Sequence, residues 1–194
     1  MMTSVVSNIA PADAERAFQV VLRAFERDPM ARWSFPDAQT YHDHFPVVIR
    51  ALGGRSFAQG GAHEVDGYAG VALWLPPGVE PDHETLEALM TTSDPTPLQR
   101  EVAAVVEQMA HYHPPEPHWF LPFIAVDPAH QHKGHGSTLL AHALRQCDRD
   151  HLPAYLESSN LANIPLYQRH GFEVLGTIQV GSSPPLTPML RKAR

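Results

Sequence analysis

Apolar positions recur every three or four residues in two stretches near the start of the chain. Ala14, Ala17, Phe18, Val21, Leu22 and Phe25 predict a helix, with Pro11 suited to its first turn and Asp28-Pro29 ending it. Phe45, Val48, Ile49 and Leu52 predict a second helix at about 39–52, closed by Gly53-Gly54. Residues 4–9 read as a short first strand ahead of both. Two further strands, 56–64 and 67–75, are joined by a tight turn at Asp66-Gly67, a pair that favours hairpins. Helical spacing returns at 82–91 and 96–112. In the second of these, Leu98, Val102, Val105, Val106 and Met109 form an apolar stripe that reads as core packing.

Residues 118–126 are rich in apolar and aromatic side chains and predict a buried central strand. Pro122 removes a ladder donor within it, so a bulge is expected there. Asp127-Pro128 ends the strand, and a glycine-bearing loop follows. The next helix carries Leu139, Leu140, Ala143, Leu144 and Cys147 on its inner face. Then come a strand at 154–158 and a short helix from Asn163, its expected N-cap, to about His170. Strands near 172–180 and 187–192 complete a mixed α/β (α+β) pattern. No repeat or long linker divides the chain, so residues 1–194 read as a single domain.

Composition narrows the function classes. The 194 residues are 43% hydrophobic, ample for a buried core. A net charge of −7 argues against a nucleic-acid partner, which asks for a basic footprint. No apolar run approaches the ~20 residues of a membrane span, and none follows a basic start as in a secretory signal. The single cysteine, Cys147, cannot form an internal disulfide, which fits a reducing compartment; the expectation is cytoplasmic. Histidines gather at 111, 113 and 118 and again at 130, 132 and 135. Neither group has a partner cysteine or a His-Glu-x-x-His helix, so no metal is expected.

The chemistry concentrates in Gln131-His132-Lys133-Gly134-His135-Gly136-Ser137-Thr138, between the buried strand and the amphipathic helix. Glycines at such a turn leave free N–H groups pointing outward with the positive helix end behind them, a setting for a phosphate or pyrophosphate. Lys133 and Ser137 or Thr138 add side-chain donors. The spacing is neither that of a Walker loop nor that of a dinucleotide fingerprint.

Val126-Asp127-Pro128-x-x-Gln131-x-x-Gly134-x-Gly136 followed by Leu139-Leu140 resembles the acyl-CoA-binding motif of the GCN5-related N-acetyltransferase (GNAT) family. Further along, Asn163-Ile164-Pro165-Leu166-Tyr167-Gln168-Arg169-His170-Gly171-Phe172 is similar to the same family's Asn-x-x-x-Tyr-x-x-x-Gly-Phe segment. The two motifs stand in the family's order, and the resemblance covers about residues 118–176. It implies a mostly antiparallel, twisted sheet with helices on both faces. It also implies transfer of an acetyl or short acyl group from acetyl-CoA to an amine of a small molecule or protein, by direct attack in a ternary complex.

Residue by residue, the resemblance gives the backbone of Ile124, Ala125 and Val126 to the pantetheine arm. It gives Gln131, His132, Lys133, Gly134, His135 and Gly136 to the pyrophosphate, with Ser137 or Thr138 at the helix start. Asn163 and Tyr167 contact the arm and its sulfur. Tyr167, a phenol that is neutral at pH 7, is the expected general acid toward the leaving thiolate. Family members often place a carboxylate base on the central strand, but residues 118–126 contain no Asp or Glu. His118 or Glu157 is left as the base. Which strand N–H faces the thioester carbonyl stays open, because a bulge at Pro122 or Phe123 shifts the register. Trp33, Phe35 and Tyr41 either line the acceptor pocket or pack. A homodimer is frequent among such enzymes, and the sequence is silent on it. The main rival reading is a non-catalytic acyl-CoA-binding or sensing protein on the same fold, and a more distant one is a metal-dependent hydrolase using the histidine clusters.

Overall fold

A computed structural model describes residues 4–194. Seven strands form one sheet: β1 (Val6–Asn8), β2 (Ala62–Val65), β3 (Gly70–Leu75), β4 (Trp119–Val126), β5 (Ala154–Ser158), β6 (Glu173–Val174) and β7 (Thr187–Arg191). Their spatial order is β1-β2-β3-β4-β5-β7-β6, and every pair is antiparallel except β4 with β5. The helices are α1 (Ala14–Phe25), α2 (Pro29–Ser34), α3 (Ala38–Gly53), α4 (His83–Met90), α5 (Pro97–Tyr112), α6 (His135–Asp150) and α7 (Ile164–Arg169). None of the described helices is long and apolar enough to cross a membrane.

β3 lies inside the sheet and buries both faces, so its alternation separates two cores. Val71 and Leu73 face α1 and α3, together with Phe18, Phe45, Ile49 and Phe123. Ala72 and Trp74 face α6 and α7, together with Leu139, Leu140, Leu144, Tyr167 and Phe172. Phe45 is 6% exposed, stacks on Tyr41 at 4.9 Å and meets Phe25, Phe35 and Phe123. Phe45→Ala is expected to cost about 3–5 kcal/mol, read as a lower urea midpoint.

The sequence expectations need several corrections. The strand expected from residue 56 begins at Ala62, because α3 unwinds into a 3-10 turn at Gly54–Ser56 and Ser56 Oγ donates to the Gly53 carbonyl. The hairpin turn spans four residues rather than two: Asp66, Gly67 and Tyr68 are all left-handed, and the Glu64 carboxylate accepts from the Tyr68 N–H. The apolar stripe of α5 buries only Val105, while Val106 is 40% exposed. That helix leans on Ile178 and Leu186 at the sheet's far side instead of entering a main core. The final strands are shorter than expected. Gly176, Pro184 and Pro185 interrupt the region between them, where a single bridge joins Ile178 and Leu186. Asp28-Pro29 ends α1 as expected, but it also starts the unforeseen α2, with Asp28 as its N-cap.

Candidate functional site

The parallel pairing of β4 and β5 is confined to Trp119↔Ala154 and Phe120↔Tyr155. Beyond that point the strands part and leave a wedge. The departure follows a bulge: between Leu73 and Leu75, β3 advances two residues while β4 retreats three, from Phe123 to Phe120, so Pro122 lies where no ladder donor is needed. Asp127 donates its N–H to the Ala69 carbonyl. Along an antiparallel strand the backbone alternates sides, so Val126 and Ile124 turn their N–H groups toward the wedge. The Val126 carbonyl accepts from Gln131 Nε2 at 3.4 Å, consistent with that orientation. Ala125 instead turns its backbone to β3 and its side chain into the α1/α3 core.

Above the wedge the loop enters α6 through two left-handed residues, His132 (φ 62°) and Gly134 (φ 87°). The glycine adopts this conformation without Cβ strain. The first helical bond runs from the Thr138 N–H to the Gly134 carbonyl, so the N–H groups of His135, Gly136 and Ser137 lie ahead of the helix ladder. A Cβ on Gly136 would stand 3.4 Å from Leu166 of α7, in ordinary contact, so a side chain larger than a methyl would grow into the space between the two helices. Side chains serve the loop less than expected. Ser137 Oγ bonds His170 Nε2 at 2.8 Å, and Thr138 Oγ1 donates to the Gly134 carbonyl. His135 is buried and faces Asp66 at 3.5 Å, on the hairpin turn. Lys133 is exposed, and its Nζ donates to the Ala129 carbonyl at 3.4 Å. Asp127 holds the loop base: it accepts from the Ala129 N–H and pairs with Arg23 of α1.

Glu157 stands on β5 past the last residue paired with β4. Tyr155, two residues earlier on the same face, donates its hydroxyl to Glu157 Oε1 at 2.8 Å. Burial pushes the Glu157 carboxyl up to about 7. Tyr155 also touches the rings of His113 and His118. His118 has both ring nitrogens engaged, Nδ1 with the Glu116 carbonyl and Nε2 with His113 Nε2 at 3.0 Å. Burial lowers His113 to about 4, which keeps that ring neutral. Beside them a cleft of about 250 Å³ is walled by Pro76, Pro81, Phe120, His118, Glu80 and Glu116.

Tyr167 of α7 is 6% exposed. Burial and the nearby Asp28 carboxylate raise its phenol above the ordinary value, holding it protonated. Asp28 was not singled out in the sequence. Its Oδ1 accepts from the Met30 and Ala31 N–H groups, and its Oδ2 accepts from Ser159 Oγ at 2.6 Å. Burial raises its carboxyl as well. The sequence signals a cap only: Asp followed by Pro before a helix is an N-cap signature, whereas the bond to a residue 131 positions away is made by the fold. Asn163 departs from expectation. It is exposed and makes no side-chain cap, whereas Asn160 caps the preceding 3-10 turn. Trp33 donates to Ser182, and Tyr41 is fully buried with its hydroxyl on the Leu22 carbonyl. Phe35 stacks on His44. The histidines meet in pairs, His113 with His118, His130 with His135, and His63 with His142. Cys147 is buried, its thiol pushed up to about 12 by burial.

The family model described as the acetyltransferase (GNAT) family matches residues 23–172, including the loop, the wedge and Tyr167. The chain belongs to that family. An uncharacterized N-acetyltransferase of Schizosaccharomyces pombe is 30% identical over 125 residues, covering 56% of this chain and 49% of that protein. The chain therefore spans about half the length of this curated relative. Among solved structures, the histone acetyltransferase HPA2 and related acetyltransferase from Corynebacterium glutamicum superposes with a TM-score of 0.72 at 24% identity, covering 100% of this chain and 98% of that one. A polyamine N-acetyltransferase of Drosophila melanogaster, which forms N-acetylagmatine, gives 0.71 at 13% identity, with 98% and 100% covered. At these identities the structural likeness is one of fold. GNAT membership and the mixed, mostly antiparallel sheet bear out the expectation drawn from the two sequence motifs.

Proposed function

We propose that this GNAT protein transfers an acetyl or other short acyl group from acyl-CoA to an amine of a small molecule or protein by direct attack. In this reading residues 1–194 act as one domain, with the cofactor contacts mostly in 118–176. The observation that carries it is the wedge. A strand edge with free N–H groups at Ile124 and Val126 leads from the glycine loop to a half-buried carboxyl with a value near 7. The residues fit a phosphate-bearing cofactor, because the space beside Gly136 and the unpaired N–H groups of the first α6 turn lie together. Acetyl-CoA, the donor used by this family, supplies the activated acyl group. The N–H groups of residues 135–137 hold its anionic end, and the Val126 backbone aligns the arm. The Ile124 N–H faces the carbonyl oxygen as negative charge develops there.

Glu157 takes the proton that an ammonium must lose before attack, and Tyr155 orients its carboxylate. His118 is the less suited base, since both its nitrogens are engaged. Asp28, fastened to Ser159, positions the loop that carries α7 and its Tyr167. Tyr167 delivers a proton to the departing sulfur. The buried thiol of Cys147 fits a reducing, cytoplasmic setting.

Titration calorimetry with acetyl-CoA, coupled to an amine screen, tests this reading. Tyr167→Phe is expected to keep acetyl-CoA affinity and lose roughly tenfold to a hundredfold in turnover, a modest effect because a thiolate leaves readily. Binding without turnover, unchanged by Tyr167→Phe, would favour a sensor. A folded protein that does not bind acetyl-CoA overturns the proposal.

A further inference from the structure

Four of the chain's 14 Lys and Arg residues meet at one pocket of about 200 Å³. It lies between the second half of α6, the turn after α7 and the end of β7. Arg145, Arg169, Arg191 and Arg194 line it with His170, and Asp148 is the one acidic side chain among the lining residues. In a chain of net charge −7 such a cluster is not general basicity. Arg191 is 3% exposed. Its Nη2 pairs with Asp148 at 2.7 Å and its Nε donates to the His170 carbonyl at 3.1 Å. Its Nη1 is buried and has no hydrogen-bond partner. Among the described residues, Arg145, Arg169 and Arg194 join no ion pair. Arg194 lies over Gly171, where a Cβ would meet its Nη2 at 2.6 Å.

A buried guanidinium with an unbonded nitrogen carries a desolvation cost, and three further cations around it add repulsion. A doubly charged anion answers both, and the planar forks of arginine match phosphate oxygens two at a time. We propose that this pocket binds a phosphate dianion, either inorganic or as a phosphate monoester. It is a different place from the glycine loop: the pocket follows the first turn of α6, and the Ser137–His170 bond lies between the two. The inference rests on the arginines and holds whether or not the chain uses acyl-CoA. Two sources share this chemistry, a separate phosphate and the ribose 3′-phosphate of CoA.

The test uses the full chain and the variant Arg169→Gln/Arg194→Gln, which changes exposed side chains and leaves the Arg191–Asp148 pair in place. Thermal unfolding is followed in sodium phosphate against sodium chloride of equal ionic strength. CoA and dephospho-CoA are then compared by calorimetry. Phosphate at tenfold saturation is expected to raise the wild-type midpoint by roughly 3–5 °C, and the variant is expected to lose that rise. Loss of the rise with equal affinity for CoA and dephospho-CoA assigns the pocket to a separate phosphate. A tenfold or larger preference for CoA that the variant abolishes assigns it to the 3′-phosphate. A phosphate effect in a protein that binds neither cofactor form supports the pocket and removes the acyl-CoA reading. Identical behaviour of wild type and variant in every arm overturns the pocket, and retained CoA binding would then leave the proposed enzyme standing.

Discussion

Glu157→Gln is expected to lower turnover by about 10²- to 10⁴-fold, the usual range for a general base, with acetyl-CoA affinity kept. The glutamine still accepts from the Tyr155 hydroxyl, so the change removes a proton acceptor and little else. The pH dependence identifies the role. The wild-type carboxyl is raised to about 7, so kcat/KM should climb as pH rises through that value and level off above it. The variant should lose this inflection. Stability supplies an independent reading with its own sign. A raised carboxyl favours the folded state when protonated, so its contribution is present below about 4.5 and is lost as pH rises through about 7. The glutamine variant carries no such loss. Its urea midpoint should therefore exceed wild type at pH 8, with the difference vanishing below about pH 4.5. Unchanged turnover in the variant would pass the role to His118, tested in turn by His118→Ala.

Gly136→Trp is expected to weaken acetyl-CoA binding by at least about a hundredfold. The indole would grow into the gap between α6 and α7, where even a Cβ already stands 3.4 Å from Leu166. Gly136→Ala is the matched control. A methyl at that distance is in ordinary contact, and alanine in place of glycine favours a helix by up to ~1 kcal/mol. The alanine variant should bind acetyl-CoA within a few-fold of wild type and melt no earlier. Position 136 suits this test better than 134, because Gly134 has φ 87° and any side chain there strains the loop as well. Tight binding by the tryptophan variant would move the cofactor away from this loop.

The parts of the site that were legible in the sequence are those carried by local chemistry. The glycine loop, the amphipathic face of α6 and the proline in β4 each announce themselves within a few residues, and the bulge at Pro122 follows from a missing donor. Asp28 was not legible as a site residue, because its partner Ser159 lies 131 positions away and only the fold brings them together. The register of β4 was open for the same reason, since the bond from Asp127 to Ala69 that turns Ile124 toward the wedge is a tertiary contact. The α5 stripe misled because periodicity reports an apolar face without saying how much lies opposite it. Here the partners are Ile178 and Leu186 with partly buried side chains such as Met30 and Trp33 of α2. Asn163 misled because Asn160 performs the same capping three residues earlier.

The two-residue pairing of β4 with β5 has a consequence for what the cleft admits. Outer strand edges invite pairing with other chains, and proteins guard them with short lengths, charges or bulges. Here an edge is left open inside a sheet, flanked by strands on both sides and roofed by α6 and α7. A polypeptide strand joining it would have to bring side chains every ~3.3 Å into a gap that narrows to closure at Phe120. An unbranched chain with widely spaced amides meets the same hydrogen-bond donors without that bulk. The protein thus exposes backbone donors in its interior without offering a template for aggregation.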